Sequence, residues 1–118
     1  MKWKKLGKIF DPTEFKLSNK CIDFAQSPQV LEFDEFVRIY FSTREKESNG
    51  KYISHISFIE MDKKFETINR VSDHTIIPMG KLGCYDEHGI FPFNVLRVKD
   101  KILGFIGGWN RRISVDID

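Results

Sequence analysis

The sequence predicts an all-β protein built from antiparallel strands, and two observations support that prediction. The 118 residues include 11 Phe, 3 Tyr and 2 Trp, and chains rich in aromatic residues favour β-sheet. The apolar residues alternate with polar ones or occur in short blocks between turn residues, and no window of about 11 residues shows a clean helical stripe. Little helix is therefore expected.

Four strands are predicted in the first part of the chain. Asp34-Glu35 separates two apolar runs, a pattern typical of a tight antiparallel hairpin. Asn49-Gly50 tolerates the positive φ that a second hairpin turn requires. The predicted strands occupy 28–33, 37–42, 52–60 and 65–72. Together they would form a four-stranded antiparallel meander.

A second group of strands is predicted after a loop that contains Pro78, Gly80 and Gly83. The first two of these strands are joined by a turn at Lys99-Asp100. The predicted strands occupy 91–98, 101–109 and 112–118. The last of them would be the third strand of an incomplete unit.

The two groups of strands are related by a repeat of 65 residues. This shift superimposes Val30 on Val95, Val37 on Ile102 and the first hairpin turn on the second. A repeated four-stranded antiparallel unit is typical of a β-propeller blade, although 65 residues exceeds the roughly 40–50 of common propeller repeats. We therefore expect residues 1–118 to be the N-terminal portion of one propeller domain, with a blade at about 25–72 and an incomplete blade at about 90–118. The alternative is that two apolar hairpins align by chance.

A propeller of this length would be incomplete. Blades are stabilised by packing on one another in a closed ring of roughly four to eight, and this chain has residues for fewer than two. Either the sequence is the front part of a longer protein, or its blades find partners in other chains through their open edges. The second reading predicts self-association.

Charge and composition restrict the functional classes. The 19 Lys and Arg residues nearly balance 17 Asp and Glu, which argues against a nucleic-acid partner. Residues 1–8 are basic but precede no apolar run of a secretion signal, and no stretch approaches a membrane helix. We therefore expect a cytoplasmic chain without a membrane partner, in which Cys21 and Cys84 are free thiols. No metal-ligand spacing occurs, so neither a metal nor another cofactor is expected.

The densest polar cluster lies in the loop before the second group of strands. Asp86, Glu87 and His88 occur there in succession and are followed by Gly89. In a propeller this loop would lead to a strand that lines the central channel, where carboxylates and imidazole can serve in acid–base catalysis. We take Asp86 and Glu87 as candidate catalytic residues. The alternative is an ordinary solvated turn.

A second set of candidates would hold a sugar ring. Trp109 offers an aromatic platform beside Asn110 and Arg111, and the 65-residue shift superimposes Trp109 on Arg44. Gln26 precedes the first inner strand, as Asp86 precedes the second. The predicted substrate-binding residues are Gln26, Arg44, His88, Trp109, Asn110 and Arg111. The alternative is that Trp109 fills the gap between blades and that the arginines are solvated.

The order and spacing of several short motifs resemble the start of a group of bacterial glycosidase-like five-bladed β-propellers, often encoded with genes for surface polysaccharides. The motifs include Trp3, Gly7 and residues 9–12, 25–28, 38–44, 76–80, 85–90 and 108–110. The resemblance implies kinship with the clan of arabinanases, xylosidases, invertases and mannoside phosphorylases, and hence a glycoside hydrolase-like protein that acts on or binds glycans.

The resemblance also implies roles for carboxylates, and here the chain departs from the pattern. Asp86 falls where the clan has an Asp that tunes the acid and positions substrate. Where the clan has its base or nucleophile beside Pro, this chain has Ser27-Pro28, and the nearest upstream Asp is Asp23. The general acid would lie beyond residue 118. Because glycoside cleavage needs two carboxylates, the chain as given is expected to lack a complete catalytic set. The alternative function is a non-catalytic carbohydrate-binding propeller in polysaccharide metabolism.

Overall fold

The computed structural model describes residues 1–17 and 20–111, and these residues form an all-β fold, as predicted. Six strands follow one short 3-10 turn at Pro12–Glu14, and the described residues contain no α-helix. The strands are β1 (Cys21–Glu32), β2 (Val37–Lys46), β3 (Tyr52–Met61), β4 (Ile68–Val71), β5 (Ile90–Val98) and β6 (Lys101–Gly108). Within the described part of the chain, no helix has the length and apolar character needed to cross a membrane.

The strands form two antiparallel sheets. The first sheet has four strands in the order β1-β2-β3-β4, which is the predicted meander. The second sheet pairs β5 with β6. The strand predicted at 112–118 lies outside the described residues.

Strand β1 is longer than predicted, since it begins at Cys21 and not at residue 28. Its pairing with β2 is interrupted by register shifts on both sides of Gln26. Asp23, Phe24 and Ser27 have φ values of 49°, 55° and 51° in this segment. These bulges break the two-residue alternation by which a strand is recognised, so the sequence pattern concealed the first half of β1.

Strand β4 is shorter than predicted because a turn occupies its expected start. Phe65 adopts φ 59° there. The Asp62 carboxylate accepts hydrogen bonds from the backbone N–H groups of Lys64, Glu66 and Thr67 at 3.0, 2.8 and 2.6 Å. Backbone groups bonded in this way are not available to a sheet partner, so pairing begins only at Ile68.

Each face of the first sheet has its own apolar core. One face, here called the N-terminal face, is covered by Ile9 and Phe10. Its buried residues are Leu17, Cys21, Val37, Ile39, Phe41, Ile59 and Met61. On the opposite face, the second sheet packs on the first through Leu31, Tyr40, Ile56, Phe58, Ile90, Phe93 and Val95. The alternation of β2 supplies both cores, because Ile39 and Phe41 point to one face and Tyr40 to the other.

The two hairpins have the same register. In the first, Gln29, Val30, Leu31 and Glu32 pair with Tyr40, Ile39, Arg38 and Val37. In the second, Asn94, Val95, Leu96 and Arg97 pair with Phe105, Gly104, Leu103 and Ile102, and each pair is the first hairpin's pair shifted by 65 residues. Equivalent positions also touch, since Arg97 Nη2 donates to the Glu32 carbonyl oxygen at 3.0 Å. The repeat found in the sequence is therefore also a repeat of strand pairing.

The second sheet leaves much of its apolar surface open. Its exposed apolar side chains are Phe91, Leu96, Val98, Ile102, Leu103, Phe105 and Ile106. Four of these, Leu96, Val98, Leu103 and Phe105, lie on the face turned away from the first sheet, because Phe93 and Val95 occupy the face that packs on it. An exposed apolar face of this kind is uncommon on an isolated domain and is typical of a surface that another element covers.

Candidate functional site

Most of the predicted site residues meet where the loop before β5 crosses the start of β3. Ser54 forms an isolated parallel bridge with Gly89, and its N–H donates to the His88 carbonyl oxygen at 3.2 Å. Gly89 has φ 113°, and a Cβ at that position would collide with the Ser54 backbone. Only glycine permits this close approach. We call the region around Ser54, between the two sheets, the seam.

Trp109 is fixed in the seam by its own polar groups. Its indole Nε1 donates to Ser54 Oγ at 3.2 Å, and its backbone N–H donates to the Gly89 carbonyl oxygen at 3.1 Å. The His88 N–H in turn donates to the Trp109 carbonyl oxygen at 3.1 Å, and the two rings lie with centroids 6.1 Å apart. The Trp109 side chain is thus partly buried and held in place by hydrogen bonds, and its role as a platform for a sugar ring stays a prediction.

Arg111 connects the second sheet's loop to the first sheet. Its Nη1 pairs with Glu47 Oε2 and its Nη2 donates to the Tyr52 carbonyl oxygen, both at 2.5 Å. Its backbone N–H donates to His88 Nδ1 at 3.1 Å. Because Nδ1 accepts this bond, the His88 ring carries its single proton on Nε2 when it is neutral. Neutral His88 is therefore held in the tautomer that is protonated at Nε2, and the Nε2–H group takes no part in the bond to the Arg111 backbone.

Arg44 reaches the seam from the first sheet. It lies directly opposite Ser54 in the β2–β3 register. Its Nη1 donates to Ser42 Oγ at 2.5 Å and to the Thr43 carbonyl oxygen at 3.2 Å, and its guanidinium carbon lies 5.0 Å from the centre of the Phe91 ring. Burial lowers the pKa of the Arg44 guanidinium from its usual value.

Gln26 lies beside this cluster on the edge strand. It pairs with Ser42 in the β1–β2 register, so it is one strand away from the hydroxyl that Arg44 uses. Its side chain is exposed. The structure therefore brings together five of the predicted residues from distant parts of the chain: Gln26, Arg44, His88, Trp109 and Arg111.

Asp86 is partly buried against two glycines. A Cβ on Gly80 would collide with the Asp86 carboxylate, and a Cβ on Gly108 would collide with the Tyr85 ring. The Asp86 carbonyl oxygen also accepts from the Gly89 N–H at 3.0 Å. The loop is thus folded tightly on itself, and it holds Asp86 in one position near the end of β6.

Glu87 and Asn110 have bonds that stabilise the same loop. Glu87 Oε2 accepts from the Gly83 backbone N–H at 2.9 Å, and Asn110 Nδ2 donates to the Cys84 carbonyl oxygen at 3.1 Å. A carboxylate that caps its own loop is less available for chemistry than a free one. The catalytic role of Glu87 and the substrate-binding role of Asn110 stay predictions.

Sequence reasoning did not single out Ser54, Ser42 or Phe91, which join the two halves of the seam. Each is a common strand residue, and only tertiary packing gives it a special position. The N-terminal face holds another polar group that the sequence pattern did not indicate as a site. There the buried His55 ring bonds Glu45 through Nε2 at 2.9 Å, in a cleft of about 410 Å³ that Lys20 and Met79 also line.

Within residues 1–17 and 20–111, no group of three or more His, Cys, Asp or Glu side chains is arranged to hold a metal ion. The two cysteines are free, Cys21 buried and Cys84 exposed.

Comparisons with known proteins give relatives of unassigned activity. The chain is 30% identical over 118 residues to two proteins of Mycobacterium tuberculosis, Rv1502 and MT1551, both described as uncharacterized. The match covers 98% of this chain and 37% of each relative, so the chain spans little more than a third of their length. No family model matches the chain. No solved structure matches it either.

Proposed function

We propose that the chain is the first part of a glycosidase-like β-propeller and that the seam binds a glycan. The observation that carries this proposal is the identical register of two hairpins that pack face to face, with aromatic and cationic side chains gathered where they meet. Successive propeller blades pack in this way. The greater length of the M. tuberculosis relatives leaves room for further blades.

The proposed binding chemistry follows from the geometry of the seam. The Trp109 indole presents an apolar surface to the C–H groups of a sugar ring. Arg44 and His88 supply donors for hydroxyl oxygens, and Gln26 supplies both a donor and an acceptor. Because Trp109 and His88 are already fixed by hydrogen bonds, little conformational entropy is lost when a ligand binds.

Asp86 is the carboxylate that we propose to act on or position the substrate. It is partly buried in a tightly folded loop, and the resemblance assigns its position to tuning the acid. Glycoside cleavage requires a second carboxylate, roughly 5–10 Å away, and we propose that it comes from outside the described residues.

The alternative, a carbohydrate-binding propeller without catalysis, has one observation in its favour. The position on β1 nearest the seam carries Gln26, and the carboxylate of Glu87, which follows Asp86, is bonded to its own loop. An enzyme would need an acidic group where this chain has an amide. A measurement of turnover distinguishes the two functions, whereas a measurement of binding does not, because both require the seam to bind a glycan.

The experiment compares turnover and binding with the same variants. The chain, and a version extended to the length of its relatives, are assayed on nitrophenyl glycosides and on a glycan panel. Asp86→Asn removes the carboxylate's charge with little change in volume, and Asp73→Asn is the matched control at an exposed position. We expect Asp86→Asn to lower turnover by about 10²–10⁴-fold and Asp73→Asn to leave it unchanged.

Each outcome decides between the proposals. Turnover that is insensitive to Asp86→Asn would remove Asp86 from the mechanism. Glycan binding without turnover by the extended protein would establish the non-catalytic alternative. If neither protein bound or cleaved any glycan, the proposed function would be wrong.

We also propose that the open surface of the second sheet causes the isolated chain to self-associate. Phe105 and Leu103 lie on β6, where the described residues provide no covering strand. Phe105→Lys should lower the apparent mass measured by light scattering at high concentration, whereas Leu82→Lys, at an exposed loop position, should not. An unchanged mass in Phe105→Lys would assign the association to another surface.

A further inference from the structure

The charge balance of the seam depends on Arg44, which differs from the other partly buried arginines. Those have carboxylate partners: Arg38 with Glu60 at 2.7 Å and Arg111 with Glu47 at 2.5 Å. Among residues 1–17 and 20–111, no carboxylate lies within ion-pair distance of the Arg44 guanidinium. The acceptors of its hydrogen bonds are a hydroxyl and a carbonyl oxygen, both neutral.

An unpaired guanidinium at this depth is energetically unfavourable. Removing a cation from water costs free energy that neutral acceptors compensate only in part. The Phe91 ring offers a cation–π contact, worth about 0.5–2 kcal/mol, which does not neutralise the charge. The lowered pKa of Arg44 reflects the same uncompensated burial. The positive charge of Arg44 therefore faces the seam without a negatively charged partner among the described residues.

The other charged groups near the seam do not supply that counterpart. Asp86, in the loop before β5, forms no ion pair with Arg44, whose acceptors are Ser42 Oγ and the Thr43 carbonyl oxygen. Glu47 is engaged by Arg111, and the Glu87 carboxylate accepts from the Gly83 N–H of its own loop. Glu45 follows Arg44 in β2 but points to the opposite face, where it bonds His55. The seam thus holds one partly buried cation that has no carboxylate partner among the described residues.

We propose that the ligand of the seam carries an oxyanion, a carboxylate or a phosphate, which pairs with Arg44. This inference rests on the proposed glycan-binding function and narrows it to acidic glycans or sugar phosphates. A guanidinium matches either oxyanion through parallel N–H donors, and pairing is strong where water is partly excluded. Ser54 lies opposite Arg44 on β3 and accepts the hydrogen bond of the Trp109 indole. In the proposed complex, the oxyanion that pairs with Arg44 belongs to a sugar ring stacked on that indole.

The test uses matched acidic and neutral sugars on the full chain. Calorimetric titration compares glucuronate, glucose, glucose 6-phosphate and inorganic phosphate, for the unmodified protein and for Arg44→Gln. Arg97→Gln is the control, because Arg97 is an exposed arginine that bonds a carbonyl oxygen and has no carboxylate partner among the described residues. Arg44→Lys keeps the positive charge but lacks the planar, parallel N–H donors of a guanidinium.

We expect at least one acidic sugar to bind about tenfold tighter than glucose, and Arg44→Gln to abolish the difference while Arg97→Gln keeps it. Arg44→Lys should retain part of it. Thermal melts show whether the two Gln variants are folded. If Arg44→Gln is unfolded, Arg44→Lys replaces it in the comparison.

The remaining outcomes separate this inference from the proposed function. Equal binding of glucose and both acidic sugars would overturn the oxyanion inference and leave glycan binding intact. Arg44-dependent binding of phosphate alone, without any sugar, would support the oxyanion and contradict the glycan proposal. No binding of any of the four compounds would overturn both.

Discussion

The two hairpins have the same strand register but opposite surroundings. Tyr40 in β2 is 7% exposed, whereas Phe105, the equivalent position in β6, is 55% exposed. Phe41 and Ile106 form a second equivalent pair, at 3% and 39%. The side chains are similar in size and polarity, so the difference comes from the neighbours. The first hairpin is covered on both faces, whereas the second is open on the face of Phe105 and only partly covered on the face that Ile106 shares with the buried Phe93.

The comparison shows that the sequence of the second hairpin is suited to a covered position. Aromatic and branched apolar residues follow one another along β6, as they do along β2. Strands buried on both faces have such near-continuous apolar runs, whereas strands exposed on one face alternate. The second hairpin therefore has the composition of an interior strand pair.

The largest difference between the hairpins is expected in stability. Phe41→Ala removes a buried ring from the N-terminal face and should lower the free energy of unfolding by about 3–5 kcal/mol. Phe105→Ala, the same change on the open surface, should cost about 0.5–1 kcal/mol at concentrations low enough for the chain to be monomeric. Urea unfolding followed by circular dichroism measures both. Equal losses would mean that the outer surface of β6 is covered in solution.

A smaller effect is expected at the bond that ties the two hairpins together. Trp109→Phe keeps an aromatic ring but removes the donor to Ser54 Oγ, and Ser54→Ala removes the acceptor. Each change should cost about 0.5–1.5 kcal/mol, and the double variant should cost less than the sum. Trp3→Phe, at an exposed tryptophan, is the control and should have little effect. Strict additivity in the cycle would indicate that the indole does not bond Ser54 in solution.

The smallest effect concerns the two thiols, of which Cys21 is buried and Cys84 is exposed. Burial, with a contribution from Glu45, raises the pKa of Cys21 to about 11. A thiol-specific reagent at neutral pH should therefore modify the exposed Cys84 rapidly and Cys21 only after unfolding. Cys84→Ser should remove the fast phase. Fast modification of two thiols would show that the N-terminal face opens readily.

The same thiol predicts a dependence of stability on pH. Because its folded pKa is raised, the contribution of Cys21 to stability is present below the unfolded pKa of about 8.5 and is lost as the pH rises through about 11. Cys21→Ala should show a flatter stability curve above pH 8.5 than the unmodified protein. Identical curves in the two proteins would contradict the assignment.

The hairpins were predictable from the sequence because their signals are local. Asp34-Glu35 and Lys99-Asp100 interrupt apolar runs at equivalent places, and both turns form where predicted. The first half of β1 was not predictable, because the positive φ angles of Asp23, Phe24 and Ser27 remove the alternation. Such bulges depend on tertiary packing and produce no regular pattern in the amino-acid sequence.

The candidate site was predictable only in part. The repeat placed Arg44 and Trp109 at equivalent positions, and the structure brings both beside Ser54. The partners that fix the other residues could not be inferred from local spacing because they are distant in the sequence; Glu47, which binds Arg111, lies 64 residues away, just after the end of β2. The missing counterion of Arg44 likewise became visible only once the ion pairs of the other arginines were known.

The bulges in β1 have a consequence for how copies of the chain would polymerise. β1 is an edge strand of the first sheet, and a foreign strand that docked there would need an unbroken row of backbone donors and acceptors. The two register shifts around Gln26 interrupt that row. β6 pairs over most of its length without such a shift and ends the second sheet. Strand addition should therefore be favoured at β6 over β1, where the bulges hinder growth.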